Sequence, residues 1–330
     1  MDSNPHPGEI LLLDNDTAFN DFALRIFEEQ LSNNPVYAEF FGHLGRDRSQ
    51  ISTWSDIPCL PIEAFRHHRV MPHHLQAEMV FRSSGTTDSA RSEHHVFSLV
   101  WYNQVSVKAF TSLYGSPSEW SFLALLPSYS ERPDSSLIHM IRNFVEVSGH
   151  QDHGFYLNDY QRLRQDADSY ADRRKVMIFG VTFALLEMAE SCPGHLRNTV
   201  FMETGGMKGR GPELTRMEVH ERLCKAFEVS RIHSEYGMTE LLSQAYSAGN
   251  GLFVAPPWMR VSVRQVSDPL TNAGFEVTGG LNVIDLANIY SCPFIATGDL
   301  GRVHPNGQFE VLGRFDHVEA RGCNLMVSQF

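Results

Sequence analysis

Between residues 98 and 237, short apolar runs alternate with amphipathic stretches, and this restricts the chain to few architectures. "SLVWYNQVSVKAFTSLYG" reads as a helix that stops at Gly115, and "WSFLALL" (120–126) as a buried strand. "DSSLIHMIRNFVEVSG" (134–149) reads as a helix with a serine pair near its start and Gly149 at its end. "KVMIFGV" (175–181) is a strand, "TFALLEMAE" (182–190) a helix, and "TVFMETGG" (199–206) a strand running into a glycine turn. "GPELTRMEVHERLCKAFEV" (211–229) is a helix with Pro212 near its first turn, and "SRIHSEYG" (230–237) is again a strand. Repeated β-α units predict a parallel sheet with helices on both faces. Ligands of such sheets bind beyond the strand carboxyl ends, where the turn at 205–206 and "EYGMTE" fall.

Upstream, residues 16–31 predict a helix capped by Asp16, with Phe19, Phe22, Ala23, Ile26 and Phe27 on one face. After about 245 the texture changes. "WMRVSVRQV", "LNVIDL" and "GQFEVLG" are strand-like and separated by Gly, Pro and Asn. The reading is an α/β body over 1–244, a β-rich lobe of the same domain over 245–312, and a hinge-like tail over 313–330.

Composition narrows the function classes. With 330 residues and 42% hydrophobic content the chain can bury a sizeable core. A net charge of −12 argues against a nucleic-acid partner. No apolar run approaches membrane-spanning length, and the start lacks a secretory signal's basic region. The cysteines, Cys59, Cys192, Cys224, Cys292 and Cys323, are odd in number and form no CxxC pair. That predicts a reduced, cytoplasmic protein without structural zinc. The stretch "RHHRVMPHH" (His67, His68, His73, His74) completes no ligand spacing and reads as polar surface. Neither GxxxxGK[ST] nor GxSxG occurs, which excludes a P-loop NTPase and argues against an α/β-hydrolase elbow.

Four stretches remain, in this order: "SSGTTDSAR" (83–91), "HSEYGMTE" (233–240), "ATGDLGR" (296–302) and "GRFDHVEARGCNL" (313–325). Each alone has a plain explanation: a Ser/Thr turn, a capped helix start, a β-turn, an exposed arginine. In this order, with Thr204, Gly205 and Gly206 just ahead of the second, they resemble the adenylate-forming superfamily of acyl-CoA synthetases and adenylation domains. The resemblance spans roughly 81–325. "LPSYSERPDSSL", "METGGMKGR" and "RGCNLMV" resemble the acyl-protein synthetases of the LuxE type within it.

The resemblance implies that family's N-terminal-domain fold, parallel sheets plus a β-rich lobe. It implies ATP and Mg²⁺ as cofactors and a carboxylic acid, fatty or aryl, as substrate. An acyl-carrier, acyltransferase or reductase protein is the implied partner. Ser83, Ser84, Gly85, Thr86 and Thr87 would offer backbone N–H and hydroxyl donors to phosphate oxygens. Gly205 and Gly206 would admit the adenine closely. Tyr236 would lie against it, with Gly237 beside it in the nucleotide set. Thr239 would contact the α-phosphate, Glu240 would hold Mg²⁺, Asp299 would accept from the ribose hydroxyls, and Arg314 would reach ribose or phosphate.

Two departures matter. Where the family's loop runs on to a lysine this chain has Arg91, a fork donor rather than a point charge. The sequence also ends seven residues after Cys323, before the mobile C-terminal domain with which the family continues. Lys208 and Arg210 are the candidates to replace that domain's lysine. Cys323, with Arg321 two residues away to lower its pKa, is the expected acyl-carrying thiol. Two other classes stay open: a non-catalytic nucleotide-fold relic, and an acyltransferase that needs no ATP. Nucleotide binding separates the first of these, and ATP dependence of acyl labelling the second.

Overall fold

Two sheets meet at the ends of the strands that carry the motifs. A computed structural model describes residues 7–84, 91–126, 131–205 and 214–315. Gly85, Thr86, Thr87, Gly206, Lys208, Arg210, Arg321 and Cys323 lie outside the described residues.

The first sheet has the strand order Gly154–Phe155, Trp120–Leu125, Lys175–Val181, Thr199–Thr204, His233–Tyr236, Ala245–Ser247. All neighbours run parallel except the last pair, so the sheet extends past residue 245 by an antiparallel edge strand. Every residue of Trp120–Leu125 is buried, and only Lys175 of Lys175–Val181 is exposed. Strands covered on both faces read as continuous apolar runs, as these do. On one face Phe110, from the helix Leu99–Tyr114, packs on Phe122 of the sheet (5.7 Å) and on Phe144 of the helix Ser136–Ser148 (4.8 Å). On the other, Phe201 stacks on Phe227 of the helix Arg216–Phe227 at 4.1 Å. Gly180 lets the helix Thr182–Ser191 come close, because a Cβ there would lie 2.7 Å from Leu185 Cγ.

The second sheet has the order Leu60–Pro61, Phe294–Val303, Gly279–Asp285, Met259–Arg264, with Phe309–Arg314 also paired to Phe294–Val303. It is antiparallel apart from Leu60–Pro61. The helices Asp16–Asn33 and Pro35–Leu44 pack on it through Phe27 and Tyr37, whose rings meet Phe294 at 6.5 and 5.7 Å. The N-cap of the first is Asn15 rather than Asp16. The Asn15 side chain accepts from the Ala18 N–H at 2.9 Å, which places Asp16 inside the first turn.

A separate hairpin, Met79–Arg82 with Glu93–Val96, forms the two arms of the hydroxyl-rich loop. The expected fold class, an α/β body with helices on both faces of its sheet and a β-rich part, is the one observed. No helix among the described residues is long and apolar enough to cross a membrane.

Candidate functional site

Tyr236 ends the fifth strand of the first sheet, and its ring is wedged where the two sheets meet. It packs edge-on against Phe253 (5.8 Å) and Phe309 (5.3 Å), 6% exposed. Its hydroxyl donates to Asp299 Oδ2 at 2.9 Å. Asp299 is the register partner of Arg314, whose Nε lies 4.0 Å from Asp299 Oδ1. Three motifs far apart in sequence thus converge. Burial raises the Asp299 carboxyl, while Arg314 and the Tyr236 hydroxyl oppose that rise. Burial, then the Asp299 charge, raises Tyr236 far above an ordinary phenol, so it stays a donor.

Two glycines mark the strand ends here. Gly205 has φ 71°, the left-handed region. At Gly237 a Cβ would collide with Glu235 Oε1. The Gly205 turn rests on a buried polar cluster. The Thr182 hydroxyl donates to Glu203 Oε1 at 2.5 Å and lies 2.8 Å from the Gly205 carbonyl. Ser234 donates to Glu203 Oε2 at 3.2 Å. Burial raises Glu203, but His220, Arg216 and Thr182 outweigh it and hold the carboxylate below its ordinary value. Its strand neighbour Glu235 is pushed up to about 8, by burial first and by the Glu203 charge second.

Past Gly237 the chain enters a turn held by side chains. The Thr239 carbonyl lies 2.7 Å from His94 Nδ1, and the Glu240 carbonyl accepts from Asn288 Nδ2 at 2.8 Å. Asp285 accepts from the Leu242 and Ser243 N–H groups and the Ser243 hydroxyl at 3.0, 2.8 and 2.6 Å. The Glu240 side chain is 5% exposed. Burial raises its carboxyl, and the Ser92 hydroxyl, Arg314 and Arg66 oppose that rise. Ser92 sits at the foot of the hydroxyl-rich loop, so loop and turn adjoin.

That foot is clamped. Ser83 N–H donates to the Ser92 carbonyl (3.1 Å), and Ser92 N–H to Ser83 Oγ (3.0 Å). Arg91, expected to substitute for a phosphate-binding lysine, donates to the Ser83 carbonyl (2.5 Å) and pairs with Asp134 (2.7 Å). Its charge is engaged in closing the loop's base. Ser84 is exposed. His67, His68, His73 and His74 are exposed, and among the described residues no group of three or more His, Cys, Asp or Glu is placed to hold a metal. An open groove of about 530 Å³ lies between the helices Thr182–Ser191 and Arg216–Phe227 and contains none of the motif residues. Hydrogen-bonded convergence, not cavity size, therefore locates the site.

His94, Asn288 and Asp285 carried no sequence signal as site residues. Each reaches these partners across 42 to 194 residues. Asp285 and Asn288 were visible only as polar residues at the end of an apolar strand. His94 is fully buried, and burial pushes its imidazole down to about 4.

No protein-family model and no curated protein matches the sequence. Solved structures do. The open conformation of 2-hydroxyisobutyryl-CoA ligase, in complex with 2-HIB-AMP and CoA, superposes with a TM-score of 0.66 at 12% identity. The match covers 91% of this chain and 70% of that one. The same ligase in its postadenylation state gives 0.67, also at 12% identity, over 91% of this chain and 68% of that one. ATP-bound MatB from Rhodopseudomonas palustris gives 0.55 at 14% identity, over 71% of this chain and 47% of that one. The fold is that of the adenylate-forming ligases. The chain spans about half the length of the MatB structure it matches.

Within the adenylate-forming fold, the donor set fits a magnesium nucleotide. Asp299 accepts from Tyr236 and keeps further acceptor capacity on its carboxylate, and Gly205 makes the left-handed turn at the end of its strand. The Glu240 carboxylate is a hard oxygen donor of the type that suits Mg²⁺, which takes one or two carboxylates with substrate phosphates supplying the rest.

Proposed function

We propose that the protein activates a carboxylic acid with ATP and hands the acyl group to a thiol. A carboxylate oxygen attacks the α-phosphorus, the bond to pyrophosphate breaks, and an acyl-adenylate forms. A thiolate then attacks the acyl carbonyl carbon and AMP leaves. The observation that carries this reading is the convergence of Tyr236, Asp299 and Arg314, three motifs whose order in the chain implied one nucleotide site. Asp299 would hold the ribose hydroxyls, with Tyr236 and Arg314 fixing its orientation. Thr239 would donate to the α-phosphate. Glu240 would hold Mg²⁺, which when bound offsets phosphate charge. Gly85, Thr86 and Thr87 would line the phosphates with Ser83 and Ser84, Gly206 would extend the adenine turn, and Lys208 would stabilise charge in adenylation.

The test is acid-dependent ATP–pyrophosphate exchange over a panel of fatty and aryl acids. The expected result is exchange with at least one acid and a rise in unfolding temperature with saturating ATP·Mg²⁺. No exchange with any acid, together with no thermal shift, would sink the reading.

The finer reading is a LuxE-type acyl-protein synthetase with Cys323 as acceptor. Three of the other thiols support it by their environments. Burial pushes Cys59 up to about 12 and raises Cys292 and Cys224, which lowers their thiolate fraction at neutral pH. With ATP, Mg²⁺ and labelled acid, a hydroxylamine-sensitive adduct is expected by mass spectrometry. Cys323→Ser should abolish it and keep exchange. An adduct that maps to Cys59, Cys192, Cys224 or Cys292 would overturn the assignment.

A further inference from the structure

Resting on the site reading above, we infer that His94 is a positioning residue that sets the Thr239–Glu240 turn against the arm of the hydroxyl-rich loop. The turn needs such a device. Residues 237–244 belong to no helix or strand, so no ladder takes up the carbonyls of Thr239 and Glu240. Buried carbonyls without partners are costly, and a peptide free to rotate would not hold its side chains in one direction. Here both carbonyls are met by side chains. His94 Nδ1 lies 2.7 Å from the Thr239 oxygen, and Asn288 Nδ2 lies 2.8 Å from the Glu240 oxygen.

His94 Nε2 lies 3.1 Å from Asn288 Oδ1, so the two side chains pack together; the neutral buried imidazole has one N–H, assigned to Nδ1 at the shorter contact with the Thr239 carbonyl. Asn288 is fixed in turn by donating to the Cys292 carbonyl at 3.1 Å. The imidazole is fully buried, with the Phe65 ring edge-on at 5.9 Å, so packing leaves it little freedom. Its backbone belongs to the strand Glu93–Val96, one arm of the hairpin that carries the loop. Two residues back on that arm's approach, Ser92 provides the hydroxyl at the Glu240 carboxyl. One short segment therefore aligns three things: the loop's foot, the Glu240 side chain and the peptide that aims Thr239. Misplacement of reacting groups by about 1 Å can cost about 10²-fold in rate.

The test compares His94→Leu, which keeps bulk and loses both ring nitrogens, with His94→Asn, which retains a donor near the Nδ1 position. His94→Leu is expected to lower the exchange rate about 10-fold or more, and His94→Asn to recover most of that loss. In a Thr239→Ala background, His94→Leu should cost less than it does alone, because the Thr239 hydroxyl that the loosened peptide would misdirect is already gone. Amide hydrogen exchange, read without ATP, should speed up in His94→Leu over 238–243 and stay unchanged in the strand Lys175–Val181. Losses that multiply, or unaltered amide exchange at 238–243, overturn the inference. Absence of acid-dependent exchange in the wild type overturns the function reading instead, and the amide-exchange result then decides the role of His94 by itself.

Discussion

Glu240→Gln lowers acid-dependent pyrophosphate exchange by about 10²-fold or more while the fold stands, the scale at which a charge-stabilising group in a closed site acts. The carboxylate is nearly buried, and burial opposes its charge; the Ser92 hydroxyl, Arg314 and Arg66 help to maintain it. Glutamine has the same shape, keeps an acceptor for Ser92 and removes the buried charge, so stability is expected to hold or rise. Activity then falls for lack of a hard anionic ligand, not for lack of a fold. Thr239→Ala should act in the same direction. Its contact with His94 runs through the carbonyl, so the alanine variant keeps the turn and loses only the hydroxyl. Exchange rates paired with thermal unfolding curves check both variants. Wild-type rates would show that this turn is a structural element alone.

Those residues are candidates by their types and their order in the chain, and the fold brings the neighbouring motif residues Tyr236, Asp299 and Arg314 together. The α/β body was legible for a different reason: buried strands and one-faced helices carry strong periodic signals, as in Lys175–Val181 and Ser136–Ser148. The helix Tyr160–Ala171 was not legible, because it buries only Leu163 and Ala167 and its composition is otherwise polar. The helix Pro35–Leu44 carries local signals of its own, Asn34 as cap and Pro35 in the first turn. His94, Asn288 and Asp285 were illegible in a deeper sense. A buried polar side chain declares itself only through its partner, and these partners are set by the tertiary fold. Cys59 and Cys292 show the converse. Both lie near Tyr37, Cys292 buried and Cys59 half-buried, where a thiol acts as a small apolar group.

Glu235→Gln gives the second large effect, on stability rather than rate. Glu235 lies in the strand His233–Tyr236 between Thr204 on one neighbour and Tyr246 on the other. Burial, and then the Glu203 charge, push its carboxyl up to about 8. An unfolded glutamate titrates near ~4.3. Between these two values the folded protein binds one more proton than the unfolded chain, so stability falls as pH rises, by about 1.4 kcal/mol per unit at the steepest. The contribution is fully present below about 4.3 and is lost as pH rises through about 8. Glu203 does not cancel this, because its carboxyl is held low and stays charged through the same window. The glutamine variant cannot titrate there. Its stability relative to wild type should therefore increase with pH, by about 2 kcal/mol from pH ~5.5 to ~8.5 after allowing for the partial solvent access of Glu235. Urea unfolding at three pH values across that range measures the difference directly. Stability curves of wild type and Glu235→Gln that run parallel in pH would show that the Glu235 carboxyl is already ionised in the folded protein, and that the sheet face beside Tyr246 tolerates a second negative charge.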